Sequence, residues 1–235
     1  MPESKKPKTN IRYERKFVVK NLSKPGIEQI VKNHPAAFSE IFHERNVNNI
    51  YLDTPNLSFF FDNVVGKSKR KKVRIRWYGD MFGEIKSPVL EFKFKTGMVG
   101  KKLTFLLKPF QLNLNFNIDI LKDIFVRSEL PAWALYDILP LEPHLLNRYT
   151  RKYFRSFDKD FRVTVDNNMI YRYISRRNNS FTNHSINYTD IIVELKYNFN
   201  KDNLANSITN HFPFRIIKSS KYVNGIECFS QGIAV

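Results

Sequence analysis

The sequence predicts an α+β fold: an antiparallel eight-stranded β-barrel with helices packed outside. Three observations lead there. First, several segments alternate charged and apolar residues. In "KKVRIRWYG" (71–79), Val73, Ile75 and Trp77 point one way while Lys72, Arg74 and Arg76 point the other. Second, 21 Phe and 11 Tyr lean toward β structure. Third, the charged faces are dominated by Arg and Lys, with carboxylates occurring singly. A half-solvated sheet accounts for any one such strand. Pooled, the strands favour a barrel whose interior is the basic face, because solvent faces mix Thr, Ser, Gln and both charge signs. Roughly eight strands leave room inside for side chains or one small ligand. The apolar faces then point outward and need helices over them.

The elements follow in order. "IRYERKFVVK" (11–20) alternates, with Arg12, Glu14 and Lys16 opposite Tyr13, Arg15, Phe17 and Val19. A helix over 23–34 starts at an Ser23 N-cap, carries Glu28 in its first turns and ends near Pro35. "RNVNNIYLDTPN" (45–56) is a strand closed by the turn residues Asp53, Thr54, Pro55 and Asn56. "LSFFFDNVV" (57–65) is too short for periodicity to separate helix from strand. Gly66 and "KSKRKK" (67–72) form a basic loop, the turn "DMFGEIKSP" (80–88) follows the next strand, and "VLEFKFKTG" (89–97) alternates again. In it, Leu90, Phe92 and Phe94 oppose Glu91, Lys93 and Lys95. "VGKKLTFLL" is a further strand, and 117–139 is helical with a break at Pro131. Strands over 145–156 and 161–174, a polar loop over 175–190 and a strand over 191–198 come next. A helix over 200–212, capped by Asn200 or Asp202, precedes a tail carrying Lys218 and Lys221. The helices near 23–34, 117–139 and 200–212 supply the outer cover.

Residues 1–10 read as a basic tail, and 11–235 as a single domain without an internal repeat or linker. The formal charge of +17 costs self-repulsion and points to an anionic partner: nucleic acid, an anionic membrane surface, nucleotides or inorganic phosphates. One cysteine, Cys228, excludes an internal disulfide, so a reducing, cytoplasmic compartment is expected. No apolar run of about 18 residues predicts a membrane span. The start "MPESKKPKT" lacks a secretory apolar core.

A barrel lined with Arg and Lys needs counter-charge, because like charges repel strongly at low dielectric. Arg grips phosphate oxygens in pairs and Lys supplies a point charge. Isolated carboxylates in such a lining either orient the cations or hold a divalent metal, and Glu14 and Glu194 are the metal candidates. A specific nucleic-acid platform is disfavoured, since single-strand binders place aromatics beside the cations. Here Trp77, Phe92, Phe94 and Leu195 lie on the opposite face. His34, His43, His144, His184 and His211 are scattered off the charged faces and read as surface or core residues.

In order along the chain stand "YERKF", "YLDTP", "KVRIRWYG", "LEFKFKTG", "NRYTRKYF", "FRVTVD", "VELKY" and "KSSKY". This series resembles the triphosphate tunnel metalloenzymes (the CYTH superfamily), and within them the polyphosphate polymerase domain of the vacuolar transporter chaperone (VTC) complex. It covers about residues 11–225. The resemblance implies a tunnel that binds the triphosphate of ATP or a polyphosphate end. It implies phosphate contacts from Lys16, Arg74, Arg76, Lys93, Arg151, Arg162, Lys218 and Lys221, a further one from Lys101 or Lys102, and Mn²⁺ or Mg²⁺ on Glu194. Arg74, Arg76, Lys93, Arg151 and Arg162 would clamp the reacting phosphates. Lys95 and Lys196, on the same charged faces, join the expected binding set. Hydrolase members carry E-x-E-x-K on the first strand; here those positions are Arg12, Glu14 and Lys16. The lost carboxylate favours the polymerase branch over a tripolyphosphate or nucleoside triphosphate hydrolase, with a non-catalytic polyphosphate binder as the third reading. VTC proteins also carry an inositol-phosphate-sensing domain and a membrane region. This sequence shows neither, so a stand-alone member with a separate membrane or regulatory partner is expected.

Overall fold

The computed structural model describes residues 12–97 and 99–229, with the side chains of Arg12 and Val99 excepted. The tail expected at 1–10 lies outside the described residues. In chain order the elements are β1 (Arg12–Val19), α1 (Lys24–Lys32), β2 (Ser39–Asp53), α2 (Ser58–Val64), β3 (Lys69–Tyr78), β4 (Gly83–Ile85), β5 (Val89–Thr96) and β6 (Val99–Leu106). Then come β7 (Phe110–Leu112), α3 (Ile118–Arg127), α4 (Ala132–Ile138), β8 (Glu142–Arg155), β9 (Arg162–Tyr173), β10 (His184–Asn187) and β11 (Ile191–Asn198). A 3-10 turn (Phe199–Lys201), α5 (Asp202–Asn210) and α6 (Lys221–Glu227) complete the described chain.

Eight antiparallel strands form one path, β1-β11-β9-β8-β2-β3-β5-β6, with β10 paired to β9 and β4–β7 a separate ribbon. The path curls round until Cα atoms of its two end strands, β1 and β6, come within 8 Å. Among the described residues no backbone ladder joins them. Lys93 on β5 instead reaches Glu14 on β1, Nζ to Oε2 3.5 Å, across this seam.

Strand register gathers the charges on one wall. Glu14 pairs with Lys196 and Lys16 with Glu194; Arg74 stands opposite Tyr51 and Glu91; Lys93 stands opposite Lys102. The alternate residues face outward into two apolar layers. Val73, Ile75, Trp77, Leu90 and Phe92 are buried under Leu121, Ile124 and Phe125 of α3 and Ala134 and Ile138 of α4. Phe17, Val163, Val165, Val193 and Leu195 are buried under Ile27 and Val31 of α1 and Ala205 of α5. Each such side chain contributes about 1.5–3 kcal/mol by leaving water, so the alternation itself forces the basic face inward. Ser23 caps α1 by accepting from the Gly26 N–H, and Pro131 separates α3 from α4, both as the sequence leads one to expect.

Other parts differ from the sequence expectation. β2 begins at Ser39, and β3 begins at Lys69, inside the expected basic loop. The ambiguous 57–65 stretch is helical because the Asp53 carboxylate accepts from the Phe59 and Phe60 N–H groups at its start. The expected turn and polar loop contain β4 and β10. Neither Asn200 nor Asp202 caps α5; the Asp202 carboxylate accepts from Arg15 and the Tyr197 hydroxyl instead.

One helix, α6, lies on the inner side of the sheet. Its Tyr222 stacks on Tyr51 with centroids 5.0 Å apart and donates to Asp53 at 2.6 Å. With Val47, Leu145, Tyr149, Met169 and Tyr171 it fills part of the interior with apolar side chains. A Cβ on Gly225 would stand 2.7 Å from Tyr171 Cδ1, so only glycine lets α6 approach this closely. Among the described residues no helix is long and apolar enough to cross a membrane.

Candidate phosphate-binding site

The deepest part of the charged face is a lattice of three carboxylates and five cations. Arg151 donates through Nε and Nη2 to both oxygens of Asp166, at 2.5 and 2.6 Å. Lys221, the first residue of α6, donates to Asp166 at 2.6 Å and stands 3.9 Å from Glu194. Glu194 also meets Arg151 (3.4 Å), Lys196 (2.6 Å) and Lys16 (3.4 Å). Glu14 meets Lys16 (3.0 Å) and Lys93 (3.5 Å). Burial pushes each carboxyl pKa up, and Glu194 also raises those of Glu14 and Asp166. The cations prevail: Lys16, Lys93 and Lys196 hold Glu14, Arg151 and Lys221 hold Asp166, and Lys196 and Lys16 hold Glu194 below the carboxylate range. All three are ionised at neutral pH.

A second node centres on Glu91. Arg74 reaches it at 2.6 Å, Lys102 at 2.5 Å and Arg76 at 3.7 Å. Burial opposes ionisation of Glu91, and the three cations overcome it. Arg76 also donates to Asn49 and to the Tyr149 hydroxyl. Between the nodes, the Lys72 Nζ donates to the Ser220 hydroxyl at 2.8 Å. Burial, with Lys16, Lys93, Arg74 and Arg70 nearby, pushes its pKa well below that of an ordinary lysine.

In these nodes Lys16, Lys72, Arg74, Arg76, Lys93, Lys102, Arg151, Lys196 and Lys221 outnumber Glu14, Glu91, Asp166 and Glu194, nine to four. Exposure varies across the nodes. Lys93 and Lys102 each keep half of their side-chain exposure, whereas Arg151, Asp166, Glu194 and Lys221 keep under a tenth. The wall thus carries uncompensated positive charge that an anion can complement.

Each residue expected from the sequence has a place. Arg74, Arg76, Lys93, Arg151, Lys16, Lys102, Lys196, Lys221, Glu194 and Glu14 are brought together in the two nodes. Lys95, Arg162 and Lys218 stand apart, and among the described residues none has an ion pair. Lys95 is beside Arg70 and Lys218 at one edge of the charged face, where they lower its pKa together with burial. Arg162 is exposed at the first position of β9, beside Arg155 and Lys196. Sequence reasoning left out Asp166, Glu91 and Lys72 as site residues, although all three share the alternation of their strands. It left out Tyr149 as well, whose ring underlies Arg151 (5.2 Å) and Lys221 (4.7 Å). Tyr149 alternates with Arg151 along β8 and so shares its face; the bulge lies opposite it on β9, where Asn168 and Met169 face this one residue.

Glu14 Oε1 and Glu194 Oε1 converge on the same ammonium. Two ionised carboxylates suit Mg²⁺ or Mn²⁺, which take one or two protein carboxylates and complete their shell with water and substrate phosphate. Among the described residues no three His, Cys, Asp or Glu side chains form a fuller metal cage. The donor set therefore fits a metal shared with a bound phosphate.

No curated protein sequence matches this chain. Solved structures do. A Pyrococcus horikoshii OT3 protein superposes with a TM-score of 0.51 at 11% identity, over 93% of this chain and 100% of that one. A Hippeastrum protein described as an adenylyl cyclase with a dominant triphosphatase activity gives a TM-score of 0.50 at 13% identity, over 96% and 97%. An adenylate cyclase-type protein from Vibrio parahaemolyticus gives 0.50 at 11%, over 90% and 97%. At such identities these likenesses establish the tunnel fold alone. The model of the VTC domain matches residues 11–230, which include every strand and both charged nodes. The curled eight-stranded path, its basic inner wall and that match together place the chain in the VTC domain family.

Proposed function

We propose that the protein is a metal-dependent polyphosphate polymerase that uses ATP. The observation that carries this reading is the enclosed surplus of nine cations over four carboxylates, continued at two edges by the unpaired Lys95, Lys218 and Arg162. A triphosphate needs only the interior; cations leading outward suit a longer chain. A terminal oxygen of polyphosphate attacks the ATP γ-phosphorus, the bond to the β-phosphate oxygen breaks, and ADP leaves. Phosphoryl transfer through a loose transition state needs positioning and charge neutralisation rather than covalent help. Arg74, Arg76, Lys93 and Arg151 supply both, with Arg162 at the rim and Lys16, Lys196 and Lys221 fixing the lattice. A divalent ion on Glu14 and Glu194 would supply further neutralisation of the phosphate oxygens. The attacking oxygen is already ionised, so no general base is required.

The hydrolase reading has one specific support, the triphosphatase activity named for the Hippeastrum protein. Arg12, in place of the first glutamate of E-x-E-x-K, counts against it. Incubation with ATP, Mn²⁺ or Mg²⁺ and a short polyphosphate primer separates the two. Polymer on a resolving gel supports the polymerase; free phosphate without polymer assigns the chain to hydrolysis; neither, with tripolyphosphate still bound, leaves a binding module.

Proton linkage gives an independent test of the site. Burial lowers the pKa of Lys72, Lys95 and Lys102, helped by neighbouring cations; Glu14 opposes the same trend at Lys93, where burial and Lys16 prevail. In the window between these lowered values and the ordinary 10.5, the free protein gains stability with rising pH as the lysines lose charge. A bound polyanion raises their pKa again. Tripolyphosphate binding is therefore expected to take up protons, and its affinity to fall as pH rises through that window. Calorimetric titration of wild type and Lys72→Met in buffers of different ionisation enthalpy, read as the difference between them, cancels protons lost by the ligand and isolates the uptake by Lys72. Equal proton uptake by wild type and Lys72→Met would remove Lys72 from the site.

A further inference from the structure

One cluster next to the charged nodes has chemistry that phosphate does not need. Arg45 stands opposite Arg151 in the β2–β8 register and thus on the same face. Its guanidinium lies 4.7 Å from the Phe42 ring centroid, 4.8 Å from Tyr153 and 4.9 Å from Tyr78. Phe42 and Tyr153 meet edge to face at 5.6 Å. Arg151 lies over the other side of the cluster, 5.9 Å from the Tyr153 ring. The cage is thus continuous with the phosphate lattice. Phe42 and Tyr78 nevertheless keep about half of their surface in solvent. The Arg45 Nε–H is buried and has no hydrogen-bond partner. A buried donor without an acceptor is a standing cost, removed when a ligand brings an acceptor.

We propose that this rim binds the nucleoside of the nucleotide substrate, with the base stacked on Phe42 and Tyr78 and an acceptor of the base or ribose facing Arg45 Nε. The inference deepens the polymerase reading and rests on it. Exposed π-faces beside a guanidinium suit a planar aromatic ring and offer nothing to inorganic phosphate. Burial, despite Arg151, and the Tyr78 hydroxyl push the Tyr153 hydroxyl up to about 12, so the rim adds no negative charge to repel the phosphates. At the other edge Lys95 lies beside Arg70 and Lys218, with no aromatic ring among them. The site is thereby asymmetric, with one end able to tell a nucleotide from a bare phosphate chain.

The test compares ATP with inorganic tripolyphosphate by calorimetry on the full chain, using Phe42→Ala, Tyr78→Leu and the ring-retaining Tyr78→Phe. Stacking on one ring is worth about tenfold in affinity. Phe42→Ala and Tyr78→Leu are expected to weaken ATP about tenfold each and to leave tripolyphosphate unchanged; Tyr78→Phe is expected to keep ATP within about twofold. Equal losses for both ligands, or no loss for ATP, would overturn the nucleoside site. So would wild-type protein that binds tripolyphosphate but not ATP, and that result leaves the phosphate reading standing. Failure to bind either ligand would overturn both. Retained tripolyphosphate affinity certifies the fold of each variant.

Discussion

An Arg74→Ala variant is expected to lose polymer formation by at least about 100-fold, the scale seen when one preorganised donor to a developing oxyanion is removed. Its fold is expected to survive. Arg74 contacts Glu91, which Arg76 and Lys102 continue to hold. Glu91 is buried, so it needs cations to stay ionised, and two remain. The gel assay for polymer and a thermal melt separate the two effects. A product yield within a few fold of wild type would take Arg74 out of the reacting site; a collapsed melt would make its role structural.

The second large effect is on stability. Arg151→Met is expected to cost about 3–5 kcal/mol, the range for breaking one partner out of a buried ion pair. Arg151 is the bidentate partner of Asp166, whose side chain has no solvent exposure, and it also serves Glu194. Lys221 alone would then hold Asp166. For a chain of this size the melting temperature should fall by about 6–20 °C. Adding Asp166→Asn should recover part of the loss, since the stranded charge is removed with it. An Arg151→Met melt within 2–3 °C of wild type would show that water or Lys221 compensates, roughly a 1 kcal/mol effect.

Much of this arrangement is legible in the chain because strand period and burial report the same thing twice. Val73, Ile75 and Trp77 are buried under helices, and Lys72, Arg74 and Arg76 therefore face inward. The order of motifs fixed most of the lattice for the same reason, from Glu14 and Lys16 through Glu194 to Lys221. What escaped notice depends on events that periodicity does not encode. A bulge on β9 sets Asn168 and Met169 opposite the single residue Tyr149. The helix α6 folds inward because Gly225 lacks a side chain, a fact that means nothing until Tyr171 and Leu145 are its neighbours. Asp166 looked like one more polar residue on a strand; only its two cations show that it anchors the floor of the site. The cage at Arg45 needed β2 to begin six residues earlier than its apolar pattern does.

Among the described residues no ladder joins β1 to β6, and on the polymerase reading this seam would change how a long polymer enters. A seamless cylinder must be threaded from an end, whereas a slotted one accepts a strand laid in sideways. Here the slot is latched by a side-chain charge pair, Lys93 with Glu14, instead of amide hydrogen bonds. Such a latch weakens with ionic strength while the ladders around the rest of the wall do not. On the polymerase reading, an incoming phosphate chain would carry the same kind of charge as Glu14 and would compete with it for Lys93.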